Sequence, residues 1–286
     1  GRRAFAAQQA TLAACLVLAM LAGCSGTPEV HTQERDLTAQ YPGGATTNTL
    51  LAGVNSFNQP AHNITDEHQG YFFSGNSLFN NPWVQAPAST ESRDGLGPLF
   101  NSRSCSGCHF KDGRGRVPEG PNEDFQSALI RISIGYDENE NPLDDPAYGG
   151  QLQPLALPEV PVEATPHVDY ESRTVEYADG SSIELSVPSY SLTDLGYGAL
   201  HKDAVLSARV APLMIGQGLL EAISKKRLQE LADPEDSDAD GISGRMRLVE
   251  STFANEPVPG RFGWKCEKPS VHEQVAGAFV GDMGIT

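Results

Sequence analysis

The chain opens on a block pattern. Gly1-Arg2-Arg3 is followed, after a short mixed stretch, by Leu12 to Ala22, eleven positions without a charge. A run this short does not cross a bilayer as a permanent helix, and the basic start ahead of it has the layout of an export signal. Polar residues take over from Ser25 to Gln33, which predicts a tether. Farther along the period changes. Ser127 to Gly135, "SALIRISIG", is a β-branched run and predicts a strand. In Arg173 to Val187, Val175 and Tyr177, then Ile183, Leu185 and Val187, take alternate positions around Asp179-Gly180, which predicts a β-hairpin. Residues of about 120–195 therefore read as a β-containing insert. Helical signals resume afterwards. His201 is expected to open a helix, Pro212 suits a helix start ahead of the apolar "LMIGQGLLEAI", and Ser224 caps a further helix through Leu231. No internal repeat or low-complexity tract is present.

Composition narrows the class. A formal net charge of −17 excludes nucleic-acid binding through a basic face. With Pro 20 and Gly 29, the body is expected to be rich in loops, as in folds organised around a cofactor. The five cysteines divide without forming an even set. Cys15 lies in the apolar run, Cys266 is single, and Cys105 and Cys108 form a motif. Cys24 closes Leu21-Ala22-Gly23-Cys24, which resembles the lipobox of bacterial lipoproteins. The expectation is a signal peptide over 1–23, a lipid on Cys24, and a tether over 24–56. Such an anchor holds the protein to a membrane surface, outer membrane included, facing the periplasm. A disulfide framework is not indicated.

The motif carries the chemistry. "NSRSCSGCHFKDGRGR", Asn101 to Arg116, holds Cys105-Ser106-Gly107-Cys108-His109. A thioredoxin-like pair would follow a strand in a βαβ setting, whereas "GLGPLFNSRS" reads as a loop. A zinc knuckle would need two more Cys or His at ligand spacing, and none follows closely. Covalent haem needs what is present. A two-residue gap lets one helical turn offer both thiols to one porphyrin edge, and the next residue supplies the proximal imidazole. Haem is attached outside the cytoplasm, so an export signal and this motif support each other. Cys105 and Cys108 are thus predicted to bind haem c covalently, with His109 as the iron ligand.

Four stretches carry a resemblance to a known family: Asn81 to Arg116, Ala208 to Ile223 ("ARVAPLMIGQGLLEAI"), Asp236 to Arg245 ("DSDADGISGR") and Gly260 to Lys265 ("GRFGWK"). The chain from about Phe57 to Thr286 resembles bacterial di-haem oxidoreductases, a family of peroxidase-like and thiol oxidoreductase proteins. They are distantly similar to di-haem cytochrome c peroxidases. The resemblance implies an α+β fold whose haem domain, 57–286, is mainly helical and cytochrome c-like apart from the insert. It also implies a second Cys-x-x-Cys-His, where this chain has one. The expectation is an N-terminal portion of a longer two-haem protein. The missing first Met and the apparent lack of a helix stop in "GAFVGDMGIT" agree with that.

Further candidates are weaker. Met214 is a possible sixth iron ligand, with Met246, Met283, His62, His68, His167, His201 and His272 behind it, but an apolar helical methionine more often fills core space. Asp236, Asp238 and Asp240, beside Asp233 and Glu235 and ahead of Gly241, form the first half of a calcium loop. The twelfth position is Arg247, so no complete EF-hand follows, and a solvated acidic turn explains the cluster equally well. Arg103, Lys111, Arg114 and Arg116 are candidate partners of haem propionates. Trp264 is either an electron relay or a packing residue. Two functions remain: a peroxidase-like haem oxidoreductase working with a redox partner protein or a small oxidant such as peroxide, and a non-catalytic electron-transfer cytochrome c lipoprotein.

Overall fold

The computed structural model describes residues 37–49, 53–121, 123–138 and 140–286; the apolar run, Cys24 and much of the tether lie outside the described residues. Residues 1–44 and 45–286 are separate compact units. The described part of the first holds a 3-10 turn, Leu37–Gln40. In chain order the second runs α1 (Asp66–Asn80), β1 (Leu99–Phe100), α2 (Cys105–Cys108), β2 (Ala128–Ser133), β3 (Leu155–Ala156), β4 (Thr165–Glu176), β5 (Ser182–Thr193), β6 (Val205–Val210), α3 (Gln217–Ala222), α4 (Lys225–Leu231), β7 (Leu248–Val249), β8 (Val258–Pro259) and α5 (Val271–Met283). No described helix is long and apolar enough to cross a membrane.

This is not a mainly helical, cytochrome c-like fold, and that expectation is corrected. Among the described residues only α1 and α5 exceed two turns, while strands form four antiparallel two-stranded ribbons: β1–β3, β2–β6, β4–β5 and β7–β8. The reason lies in long-range pairing. Val205 to Val210 is short and apolar enough to read as the approach to a helix, yet it pairs with the strand predicted at 127–135, Ala128 opposite Val210 through Ser133 opposite Val205. The helix expected from Pro212 begins at Gln217 instead. His201 opens no helix; its main-chain N–H donates to Asp145 Oδ2 from a loop. The β region thus extends to residue 210, past the expected end of the insert.

Strand alternation builds the first core. In β2, Ala128, Ile130 and Ile132 are buried while Leu129, Arg131 and Ser133 face outward. Ile130 and Ile132 pack with Tyr148, Leu152 and Ala164, and the root of the β4–β5 hairpin adds Tyr190 and Leu192. Each fully buried isoleucine contributes roughly 1.5–3 kcal/mol by removal from water. The predicted hairpin is present, with Val175 opposite Ile183. Its loop is longer than a two-residue turn. Tyr177 N–H donates to Ser181 O, Gly180 N–H donates to Tyr177 O, and Gly180 sits at φ +83. A three-residue loop with a left-handed last position needs glycine there.

The second core is Leu96, Phe100 and Met283, with Trp83 and Phe279 stacked edge-on at 5.1 Å. It joins β1 to α5. Ser270 caps α5 by accepting from Glu273 N–H, a serine-to-glutamate spacing that signals a helix start. Gly284, at φ +63, stops the helix: its N–H reaches Val280 O, and Ile285 N–H reaches Phe279 O. The stretch "GAFVGDMGIT" therefore does contain a helix stop. At the other end of the unit, Thr65 caps α1, Asp66 and Glu67 occupy its first turn, and Asn81 turns extended ahead of Pro82.

Candidate functional site

The site is built on one helical turn. Ser104 enters it extended, Cys105 to Cys108 form α2, and His109 N–H closes it on Cys105 O at 2.9 Å. Gly107 is required by packing, because a Cβ there would collide with the Ser102 hydroxyl. That hydroxyl in turn donates to Ser104 O at 2.9 Å and fixes the entry to the turn. Cys105 is half-buried, Cys108 is buried, and neither is in a disulfide. The Cys108 thiol donates to Gln126 O at 2.9 Å.

Both thiols are held in the protonated form. Burial and then the nearby Asp282 carboxylate raise Cys105, and the same two causes push Cys108 up to about 11. A redox-active pair needs the opposite, a stabilised thiolate. Among the described residues, the two thiols and His109 do not converge on one point as a metal knuckle would require. They lie side by side on one turn, as two sulfurs bonded to separate substituents of a flat macrocycle must.

His109 is oriented by a distant strand end. Its Nδ1 lies 2.8 Å from Pro212 O, just past β6. A carbonyl only accepts, so Nδ1 carries the proton and Nε2 keeps its lone pair. The Phe79 ring of α1 stands 6.3 Å from the imidazole, centroid to centroid. α1 also meets the turn directly, through Ser106 Oγ donating to Asn80 O. The residues therefore fit a haem c: two attachable thiols, a rigid turn, and an imidazole whose free nitrogen is fixed by its other hydrogen bond.

The candidates for the opposite iron position are scattered. Met214 N–H donates to Asp112 O at 3.0 Å, two residues beyond the carbonyl that holds Nδ1. Met283 is buried in the second core. His167 Nε2 bonds Thr193 Oγ1 at 2.8 Å, His201 Nδ1 accepts from Asp203 N–H, and His272 stacks on Phe253.

The basic residues around the motif are also dispersed. Arg103 lies over the Phe100 ring, Lys111 over Phe110, and Arg116 is paired with Glu123 at 2.7 Å. Trp264 and Cys266 are exposed.

The acidic loop brings together Asp233, Asp236 and Asp238, whose carboxylate oxygens lie within 4.8 Å of one another, and leaves Asp240 outside. Hydrogen bonds within the loop account for the arrangement. Asp233 accepts from the N–H and hydroxyl of Ser237, Asp236 from Gly241 N–H, Asp238 from Asp240 N–H, and Asp240 from Ile242 N–H. Three carboxylate oxygens this close could hold a cation, and the loop's own hydrogen bonds also account for their approach.

One residue at the site has no signal in the local sequence. Asp282, near the end of α5, accepts through its main-chain O from Asn101 N–H at 2.8 Å and Ser102 N–H at 3.3 Å. Its Oδ1 accepts from Gln151 Nε2 at 2.8 Å, and Gln151 Oε1 accepts from Arg131 at 2.8 Å. Burial raises the Asp282 carboxyl, against the hydrogen bond from Gln151 and the charges of His109 and Arg131. Nothing in "GDMGIT" announces a partner of the Cys-x-x-Cys turn; only packing of α5 on β1 places it there.

Residues 37–136 and 158–286 match the model of the family described as "Di-haem oxidoreductase, putative peroxidase". No curated protein and no solved structure matches the chain.

Proposed function

The chain belongs to the di-haem oxidoreductase family, and on that premise we propose that it is a peroxidase-like oxidoreductase holding one haem c through Cys105 and Cys108, with His109 as proximal ligand. The observation that carries the reading is the pairing of two protonated, adjacent thiols with an imidazole whose Nδ1 is committed to Pro212 O. When bound, the haem supplies one-electron chemistry at iron. The chain's own residues do the rest. Cys105 and Cys108 would each add S–H across a vinyl C=C of the haem, giving thioethers that fix the edge of the macrocycle to α2. His109 would hold the iron through Nε2, while Pro212 O keeps the ring from turning and would favour electron donation through Nε2. Phe79 limits the ring on its other side.

The division of labour expected of a two-haem protein would give this turn the role of one redox station, exchanging electrons with a partner protein or a second haem while peroxide is the oxidant. Maturation in the periplasm and a lipid anchor at Cys24 complete the proposal, supported by the charge-free run Leu12 to Ala22 ahead of it.

The deciding experiment is acid–acetone extraction after expression in a periplasm with haem-attachment machinery. The chain is expected to keep its haem and show a c-type reduced spectrum, and Cys105→Ala with Cys108→Ala should abolish retention. Haem retained by the double variant would refute the assignment. Cys24→Ser is expected to move the protein out of the membrane fraction or leave an unprocessed precursor; unchanged partition and processing would refute the anchor.

A further inference from the structure

Asp282 neither attaches nor ligates the haem, yet the fold locks it against the groups that do. Its main-chain oxygen is bonded to Asn101 and Ser102, at the entry to the Cys105–Cys108 turn, and the Ser102 hydroxyl donates to Ser104 O at that entry. Its carboxylate is held from the opposite direction by Gln151. That amide also reaches Asn101 Oδ1 at 2.9 Å and Gly281 O at 3.0 Å, and takes a hydrogen bond from Arg131 on its own oxygen. Gln153 Nε2 adds a bond to Gly281 O at 2.8 Å. The carboxylate takes one hydrogen bond, from a Gln151 side chain that is itself tied to Asn101, Gly281 and Arg131, and this holds its charge in place. That charge acts on Cys105, Cys108 and His109 together.

We propose that Asp282 is a positioning residue that lowers the reduction potential of the haem held by Cys105, Cys108 and His109, with Gln151 holding its carboxylate in place. The inference rests on the haem reading above. The physical reason is electrostatic. Reduction of ferric to ferrous iron by a one-electron reductant removes one positive charge from the centre and makes or breaks no bond. A fixed negative charge nearby favours the ferric state, and burial weakens the screening that would mask it at the surface. After attachment the two sulfurs are thioethers and do not titrate. His109, once its Nε2 lone pair is on the iron, carries no charge of its own, and the charged side chain facing Asp282 is then Arg131.

The test is a potentiometric titration of the haem-loaded full chain at pH 8, with wild type, Asp282→Asn and Asp282→Glu compared. Asp282→Asn, which removes the charge at nearly constant shape, is expected to raise the ferrous-to-ferric ratio at a fixed applied potential about tenfold, or about 59 mV for a one-electron couple. Asp282→Glu, which keeps the charge, is expected to stay within about threefold of wild type, about 28 mV by the same conversion. An unchanged ratio in Asp282→Asn, or a shift in Asp282→Glu as large as in Asp282→Asn, overturns the proposal, because loosened packing would disturb both alike. Should Asp282→Asn not hold haem, Asp282→Ser takes its place under the same criteria. A wild-type chain without covalent haem would instead overturn the parent reading, so the two failures are distinct.

Discussion

His109 Nδ1 and Pro212 O meet at 2.8 Å across 103 residues of chain. The contact ties the Cys-x-x-Cys turn to the end of β6, so the imidazole is aimed by a β-ribbon rather than by the turn that carries it. His109→Ala is expected to leave the haem attached through both thioethers but remove its proximal ligand. The absorption spectrum should then become high-spin, and added imidazole should restore the low-spin form. A spectrum indistinguishable from wild type would show that His109 does not ligate the iron.

Gly107 and Ser102 are expected to be coupled. A methyl group at residue 107 meets the Ser102 hydroxyl, so Gly107→Ala should destabilise the chain by about 1–3 kcal/mol and lower the yield of attached haem. Ser102→Ala, which loses the bond to Ser104 O, should cost about 1 kcal/mol. In the double variant the collision is gone, and the loss should be smaller than the sum of the two by about 0.5 kcal/mol or more. Urea unfolding of all four proteins measures this; strict additivity would mean that the close approach does not matter.

A second close approach holds α5 on β1. A Cβ at Gly97 would run into the main chain of Gly284, which backbone cannot yield as a side-chain tip can. Gly97→Ala is therefore expected to cost about 2–4 kcal/mol and to shift Asp282 with the helix end. A thermal midpoint within a degree of wild type would contradict the packing described.

Part of the acid sensitivity should come from Asp145. Burial alone would raise this carboxyl, but N–H groups of His201, Ala147 and Tyr148 donate to it and hold it below the usual aspartate range. A folded value below the unfolded one stabilises the protein above the ordinary aspartate range of about 4. That stabilisation is lost as pH falls through the folded value. Asp145→Asn puts an amide nitrogen or a weaker acceptor against those donors. It is expected to cost about 2–3 kcal/mol at pH 7 and to flatten the acid limb of the stability curve. Equal slopes below pH 4 in both proteins would exclude Asp145 as the source.

Local chemistry was legible in the sequence. The spacing of Cys105, Cys108 and His109 needs only one helical turn to bring two thiols and an imidazole to one place, and α2 provides it. The β2 run, the hairpin around Asp179-Gly180 and the Ser224 cap of α4 also follow from neighbours within a few residues. Two helix starts are legible too, at Thr65 and at Ser270 with Glu273. Tertiary structure decided the rest, because the contacts involved join residues far apart in the chain. Apolar Val205 to Val210 becomes strand because β2 offers it hydrogen-bond partners, and with it the balance of the fold moves away from helix. Pro212 lends a carbonyl to His109 only because β6 ends beside α2, and Asp282 reaches the site only because α5 packs on β1 through Met283 and Phe100. A sequence motif fixes which atoms are near one another within a turn; the orientation of the imidazole and the charge beside it depend on which distant segments share its core.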